Sequence, residues 1–314
     1  MTVAHIYLSP HLDDAVFSVG GRIRQQCANG ERVLVLSVFT ESPDSDQLSP
    51  FARAMHRVWT DYYDPLAVRR AEDEAAMRAL GAEFLHLGYP SAMYRLNAGG
   101  QPLYQGVGIL GKVHPEDASL IDSLAATFAQ LRAAHPQATI YVPLGVGNHV
   151  DHQIVNRAAR HLPGPVRHYE DFPYVMFGAL GPFIVRLLGM MGRLGVRPLD
   201  ANPDARAYPF WPALLRTFRS APPLVGGPQF AHEQPGALYW RPELYPIDLS
   251  AKIQDALNYA SQIRMLFGNE RNLQRALEIY TLSLGRTLGM NTPHERLWLA
   301  PAPVPVRTQL ASRR

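Results

Sequence analysis

Cysteine is almost missing from this chain: Cys27 stands alone among 314 residues. An internal disulfide and a thiolate metal site are thereby excluded, and Cys27, on the apolar face of the first predicted helix, reads as a core residue. Lysine is nearly absent too, with only Lys112 and Lys252. The formal charge of +3 comes from arginines dispersed along the chain. No Lys/Arg block is present to track a phosphate backbone, so nucleic acid is not an expected partner. No Gly-x-Gly-x-x-Gly follows the first predicted strand, since Gly20-Gly21 lies too deep in the helix to cradle a pyrophosphate. A Gly-x-Ser-x-Gly elbow is also lacking, which disfavours dinucleotide oxidoreductases and serine hydrolases. The most apolar stretch, residues 175–196, is cut by Pro182, Arg186 and Arg193. A membrane-spanning helix needs about 20 uninterrupted apolar residues, so no transmembrane segment is expected. No basic region precedes the first strand, and a soluble, cytoplasmic protein is the expectation.

What the chain does have is apolar content, 47% of its residues, enough for one large core. The first apolar run, Val3 to Leu8, reads as a buried strand. It hands over at Ser9-Pro10-His11-Leu12-Asp13-Asp14 to a helical pattern from Ala15 to Ala28. A histidine and two adjacent carboxylates at such an edge can serve a divalent metal. The bland alternative is a helix cap supplied by Asp13 or Asp14, and on this stretch alone the two readings are balanced.

A second stretch repeats the pattern. The β-rich run Thr139 to Pro143 ends in Leu144-Gly145-Val146-Gly147-Asn148, then His149-Val150-Asp151-His152 opens a further helical segment. Two such clusters at equivalent strand ends can converge on one ion. With both in view, the chain resembles the PIG-L/LmbE-like family of zinc-dependent N-deacetylases, whose motifs are His-Pro-Asp-Asp-Glu and His-x-Asp-His. The resemblance covers mainly residues 3–175.

That resemblance implies His11, Asp14 and His152 as metal ligands; spacing alone does not separate Asp13 from Asp14. It implies zinc as the cofactor, with ferrous iron as the in vivo alternative. Asp13 is then the expected general base for a metal-activated water, and His149 the protonated imidazole facing the oxyanion. Asp151 is expected to hold that imidazole charged and oriented. In the family an Arg-x-x-Glu helix places its arginine in the site, which matches Arg69 and Glu72, although i,i+4 charge pairing explains the same helix without function. Two departures stand out. Leu12 and Ala15 replace the usual proline and glutamate, and Gly147 stands where some members place a tyrosine that contacts the reacting carbonyl.

Elsewhere the pattern alternates strand and helix. Arg32 to Phe39 and Glu83 to Pro90 read as strands, and Val68 to Gly81 and Ala118 to Ala134 as helices. The loop Asp44 to Asp46 reads as solvated rather than metal-binding. Residues 91–113 form a long aperiodic segment, a candidate substrate loop with Tyr94, Arg95 and Tyr104 as contacts. Val166 to Glu170 reads as a strand, and Asp171 after it either orients a histidine or simply ends the strand. The expected fold is α/β, a Rossmann-like, mostly parallel doubly wound sheet with helices on both faces and an α-helical C-terminal extension.

One domain over 1–314 is expected: a catalytic core at 1–175, an insertion or lid at 176–236, a C-terminal strand and helices at 237–302, and a tail at 303–314. Within 237–302, Ala237 to Trp240 is the expected returning strand, and two helices between Leu249 and Leu288 are expected to break at Phe267-Gly268-Asn269. The expected activity is removal of an N-acetyl group from a small GlcNAc-containing molecule. A zinc amidase acting on a thiol or sugar conjugate is the alternative, and a non-catalytic metal- or sugar-binding protein the alternative of another class. Assembly into a homo-oligomer is compatible with the sequence.

Overall fold

The computed structural model describes residues 2–43, 48–59, 64–176 and 240–301. The expected insertion from residue 177 onward, the 303–314 tail, the Asp44 to Asp46 loop and residues 237–239 of the expected returning strand lie outside the described residues. Seven strands form one sheet: β1 (His5–Ser9), β2 (Val33–Ser37), β3 (Glu83–His86), β4 (Thr139–Pro143), β5 (Val166–Tyr169), β6 (Arg241–Pro246) and β7 (His294–Leu299), in the order β3-β2-β1-β4-β5-β7-β6. The first five are mutually parallel, and β7 runs antiparallel to both β5 and β6.

Described helices are α1 (Asp14–Ala28), α2 (Pro50–Trp59), α3 (Pro65–Leu80), α4 (Ala118–Ala134), α5 (Val150–Ala159), α6 (Leu249–Ala256), α7 (Ala260–Phe267) and α8 (Glu270–Arg286). They cover both faces, as the period-two alternation of the central strands requires. Tyr7 of β1 and Tyr141 of β4 face one core with α1, α3 and α8. Their neighbours Ile6, Leu8, Ile140 and Val142 face the other core with α4 and α5. No helix of the described residues is long and apolar enough to cross a membrane.

The C-terminal part differs from expectation in two ways. It contributes two strands to the sheet in addition to helices, and the helical stretch breaks twice. The break at Gly268, in positive φ, was the expected one. The other falls at 257–259, where Asn258 Nδ2 turns back to the Asp255 carbonyl at 2.9 Å.

This part is anchored to α1 at a kink. Val19 has non-helical φ/ψ, which frees backbone groups on either side of it. Glu295 of β7 accepts from the Gly21 N–H at 2.9 Å and the Arg22 N–H at 2.7 Å. Lys252 of α6 donates to the Ser18 carbonyl at 3.1 Å and to Glu295. Gly21 is required for this approach, because a Cβ there would lie 2.9 Å from Ile247 and 3.0 Å from Glu295 Oε1.

Both Lys252 and Glu295 are fully buried, so removing one partner strands a charge. Glu295→Ala is expected to cost about 3–5 kcal/mol of unfolding free energy, measured by denaturant titration. The double change Lys252→Met with Glu295→Leu is expected to cost less than Glu295→Ala alone. A double variant less stable than the single one contradicts this account.

Candidate active site

β1 and β4 are adjacent at the centre of the sheet, and from them the strand order runs outward in opposite directions. In open α/β sheets the crevice beyond the carboxyl ends at such a reversal receives ligands. Ser9 to Asp14 leave β1 into this crevice, and the 144–149 turn leaves β4 into it.

The capping alternative for Asp13 is decided here. Asp13 occupies the N-cap position of α1, yet its side chain makes no capping bond. Ser9 Oγ instead accepts the Ala15 N–H at 3.1 Å and donates to the His11 carbonyl at 2.7 Å. The Asp13 carboxylate is thus turned toward the crevice, where Arg69 Nη2 donates to it at 3.3 Å. The Arg69 guanidinium in turn lies 4.7 Å from the centre of the Trp59 ring. Burial, and next the charge of Asp14, push the Asp13 carboxyl up to about 6, against the pull of Arg69. Glu72 is not in the site; its carboxylate holds Ser261 N and Oγ at 2.8 and 2.6 Å.

His11, Asp14 and His152 converge. Asp14 Oδ2 lies 3.0 Å from His11 Nδ1 and 3.2 Å from His152 Nε2. The outer nitrogen of each imidazole is occupied: His11 Nε2 by Asp151 Oδ2 at 3.0 Å, and His152 Nδ1 by Asp171 Oδ1 at 2.6 Å. Of the two readings of Asp171, the structure therefore selects the orienting one. Buried His152 Nε2 has no hydrogen-bond partner. An unsatisfied imidazole nitrogen aimed at a carboxylate, with its other nitrogen fixed from behind, is the arrangement a metal ligand adopts. Two imidazoles and one carboxylate fit zinc or ferrous iron. A second trio, His11, His149 and Asp151, is also closely spaced. There, however, Asp151 is already engaged by Arg95 Nη1 at 2.6 Å and the Ala92 N–H at 3.0 Å.

His149 departs from expectation. The Asp151 carboxylate does not pair with it; instead His149 Nδ1 accepts the backbone N–H of Asp151 at 3.3 Å. That bond places the ring proton of the neutral imidazole on Nε2. Burial, with His11 next in weight, holds the His149 pKa well below the ordinary histidine range. The expected pairing of the Asp151 carboxylate with the His149 ring is therefore absent, and burial together with the Nδ1 contact favours a neutral ring carrying Nε2–H.

The segment after β3 also differs from expectation. Arg95, expected to touch substrate, is buried and spent on Asp151 and Asp117. The Tyr94 hydroxyl meets His56 Nε2 at 2.7 Å, and the Tyr104 hydroxyl donates to Asp117 Oδ2 at 2.6 Å. Leu12 and Ala15, the departures in the first motif, are buried packing residues; Leu12 joins Met55, Trp59 and Leu66. Gly147 has φ +88°, and a Cβ there would lie 2.4 Å from Tyr174 Cβ. The Tyr174 ring, which sequence reasoning did not single out, stands beside Gly147, with its centre 5.5 Å from that of His152 and 6.1 Å from that of His149. No local motif marks it, because it lies in the segment that follows the carboxyl end of β5, outside both sequence motifs.

Comparison with known proteins agrees with this architecture. Residues 6–162, half of the chain, match the family described as PIG-L, GlcNAc-PI de-N-acetylase. A 2'-N-acetylparomamine deacetylase from Niallia circulans is 29% identical over 188 residues, 54% of this chain and 67% of that protein. Its counterpart from Streptomyces fradiae is 29% identical over 179 residues, 54% of this chain and 57% of that protein. Among solved structures, a zinc-inhibited form of teicoplanin deacetylase superposes with a TM-score of 0.67 at 23% identity, covering 94% of this chain and 97% of that one. This likeness shows the fold.

The carboxylate behind His152 gives the geometry a test. Asp171→Asn is expected to lower zinc affinity about 10–100-fold while the protein stays folded, as read by competition with a chelator of known affinity. Unchanged affinity would remove Asp171 from the metal site.

Proposed function

The chain belongs to the GlcNAc-PI de-N-acetylase (PIG-L) family, and we propose that it is a metal-dependent N-deacetylase acting on an N-acetylated amino sugar carried by a small molecule. The observation that carries this reading is an uncapping carboxylate, Asp13, beside two imidazoles and Asp14 whose inward atoms meet at 3.0–3.2 Å. The named activities of the two relatives from Niallia circulans and Streptomyces fradiae support the acetylated amino-sugar class.

His11 Nδ1, Asp14 Oδ2 and His152 Nε2 would hold the metal, zinc or ferrous iron. When bound, it supplies Lewis acidity that polarises the amide carbonyl and makes water a competent nucleophile near neutral pH. Asp13 is assigned as the general base: it removes a proton from the attacking water and returns it to the departing nitrogen. Its raised pKa suits both halves of that transfer, since a strongly acidic carboxyl would be a poor base and a poor proton source. Arg69 keeps the carboxylate ionised before attack and holds its position.

His149 is assigned to the oxyanion. As a neutral Nε2–H donor it stabilises negative charge on the former carbonyl oxygen without giving up a proton. Asp151 contributes indirectly, through its backbone N–H to His149 and its carboxylate to His11. Across the reaction the water oxygen bonds to the acyl carbon, the C–N bond breaks, and acetate and a free amine leave. Tyr94, half-buried against the Leu12 cluster, remains a proposed substrate contact.

Asp13→Asn tests the assignment. It keeps the shape and removes the base, so turnover on an N-acetylglucosaminide is expected to fall at least about 100-fold, with zinc stoichiometry unchanged. Turnover within a few-fold of the parent would reject Asp13 as the base.

A further inference from the structure

Arg95 belongs to neither sequence motif, yet it lies against the carboxylate behind a metal ligand. It is 7% exposed and lies between two buried carboxylates, Asp151 and Asp117, exposed 0% and 2%. Nη1 donates to Asp151 Oδ1 at 2.6 Å and to the Pro90 carbonyl at 3.1 Å. Nη2 donates to Asp117 Oδ2 at 3.0 Å, and Nε lies 2.9 Å from Asp117 Oδ1. The guanidinium is flanked by the rings of Phe39 and Tyr104, at 5.4 and 5.3 Å from their centres.

On one side of Arg95, Asp151 Oδ2 meets His11 Nε2 and the Ala92 N–H, each at 3.0 Å. On the other, Asp117 Oδ2 accepts the Tyr104 hydroxyl at 2.6 Å, whose oxygen accepts the His114 N–H at 2.6 Å. Asp117 is the N-cap residue of α4 but makes no side-chain capping bond. A cap of this kind is ordinarily worth about 1 kcal/mol, so the carboxylate is committed to the clip at a local cost. The apolar cluster beneath the segment is small, with Ala92, Tyr104 and Val150 at its centre. Residues 91–117 are also held by Gln153 Nε2 donating to the Gly111 carbonyl at 2.7 Å, by the Tyr94 hydroxyl against His56 at 2.7 Å and by Met93 and Tyr94 packing on the Leu12 cluster, but none of these contacts reaches the carboxylate behind His11.

We propose that Arg95 is a positioning residue that couples the metal centre to residues 91–117, so that metal binding and ordering of this segment reinforce each other. A metal on His11 Nδ1 fixes the imidazole, which fixes Asp151, and through Arg95 fixes Asp117 and Tyr104. By linkage the reverse holds equally: loosening the segment weakens metal binding. This inference rests on the metal reading of His11, Asp14 and His152, and it replaces a direct substrate contact by Arg95 with action through Asp151.

Hydrogen exchange of peptides within 91–117, with zinc saturating and after chelator treatment, provides the test alongside zinc affinity. In the parent protein zinc is expected to slow exchange in this segment at least about tenfold. Arg95→Met is expected to bind zinc about 10–100-fold more weakly and to show no zinc-dependent protection of the segment at saturation. Arg95→Lys guards against misfolding: it keeps a charge but cannot bridge two carboxylates, so the protection is again expected to vanish. Unchanged zinc affinity in Arg95→Met, or persisting protection in either variant, overturns the proposal. Neither readout depends on turnover, which keeps failure of this inference distinct from failure of the deacetylase reading. A parent protein that binds no zinc overturns both.

Discussion

Two carboxylates that need touch no substrate determine the rest of this site. Asp151 and Asp171 each hold the outer nitrogen of one imidazole, His11 and His152, leaving the inner nitrogens facing Asp14. Without that backing, either ring could rotate to satisfy itself elsewhere, and Asp14 would be a buried anion left with the His11 backbone N–H as its hydrogen-bond partner. With it, three donor atoms share one point. The cost of burying so many charged groups together is offset by pairing each one, as with Asp151 and Arg95 or Asp13 and Arg69.

Local stability has been given up for this arrangement in two places. Asp13 and Asp117 both stand at helix N-caps and cap nothing with their side chains. Each forgoes about 1 kcal/mol of local stabilisation, and each instead faces an arginine that connects to the site. The difference between the two adjacent carboxyls follows from their surroundings. Burial would raise both, but His152 and His11 hold Asp14 well below the ordinary range, while at Asp13 the pull of Arg69, and after it of His11 and His152, does not outweigh burial and the charge of its neighbour. The proposed ligand and the proposed base thus sit in different environments within one dipeptide.

Much of this was legible in the sequence because it is local. Strand, turn and helix around His11 to Asp14 and around His149 to His152 are contiguous, and their periodicity survives burial. The orienting layer is not local: His11 and Asp151 are 140 residues apart, and no spacing rule joins them. β7 was hidden for a different reason. Its His294-Glu295-Arg296 start looks solvent-facing, but Glu295 is neutralised by Lys252 and Arg296 by Glu170, so the strand is buried despite its charges. β6 carries Pro242 and Pro246, tolerable on an edge strand and easily taken for loop. The carboxylate contact expected at His149 is absent because the start of α5 directs Asp151 elsewhere, toward Arg95, His11 and the Ala92 N–H.

The central claim is that His11 Nδ1, Asp14 Oδ2 and His152 Nε2 hold one metal ion. Anomalous diffraction at the zinc absorption edge, from crystals grown with stoichiometric zinc, tests it most directly. The account predicts one dominant peak at about 2.0–2.2 Å from these three atoms, with Asp13 close by but not bonded. A peak on the His149 and Asp151 side of His11, or none at full zinc loading, would contradict it.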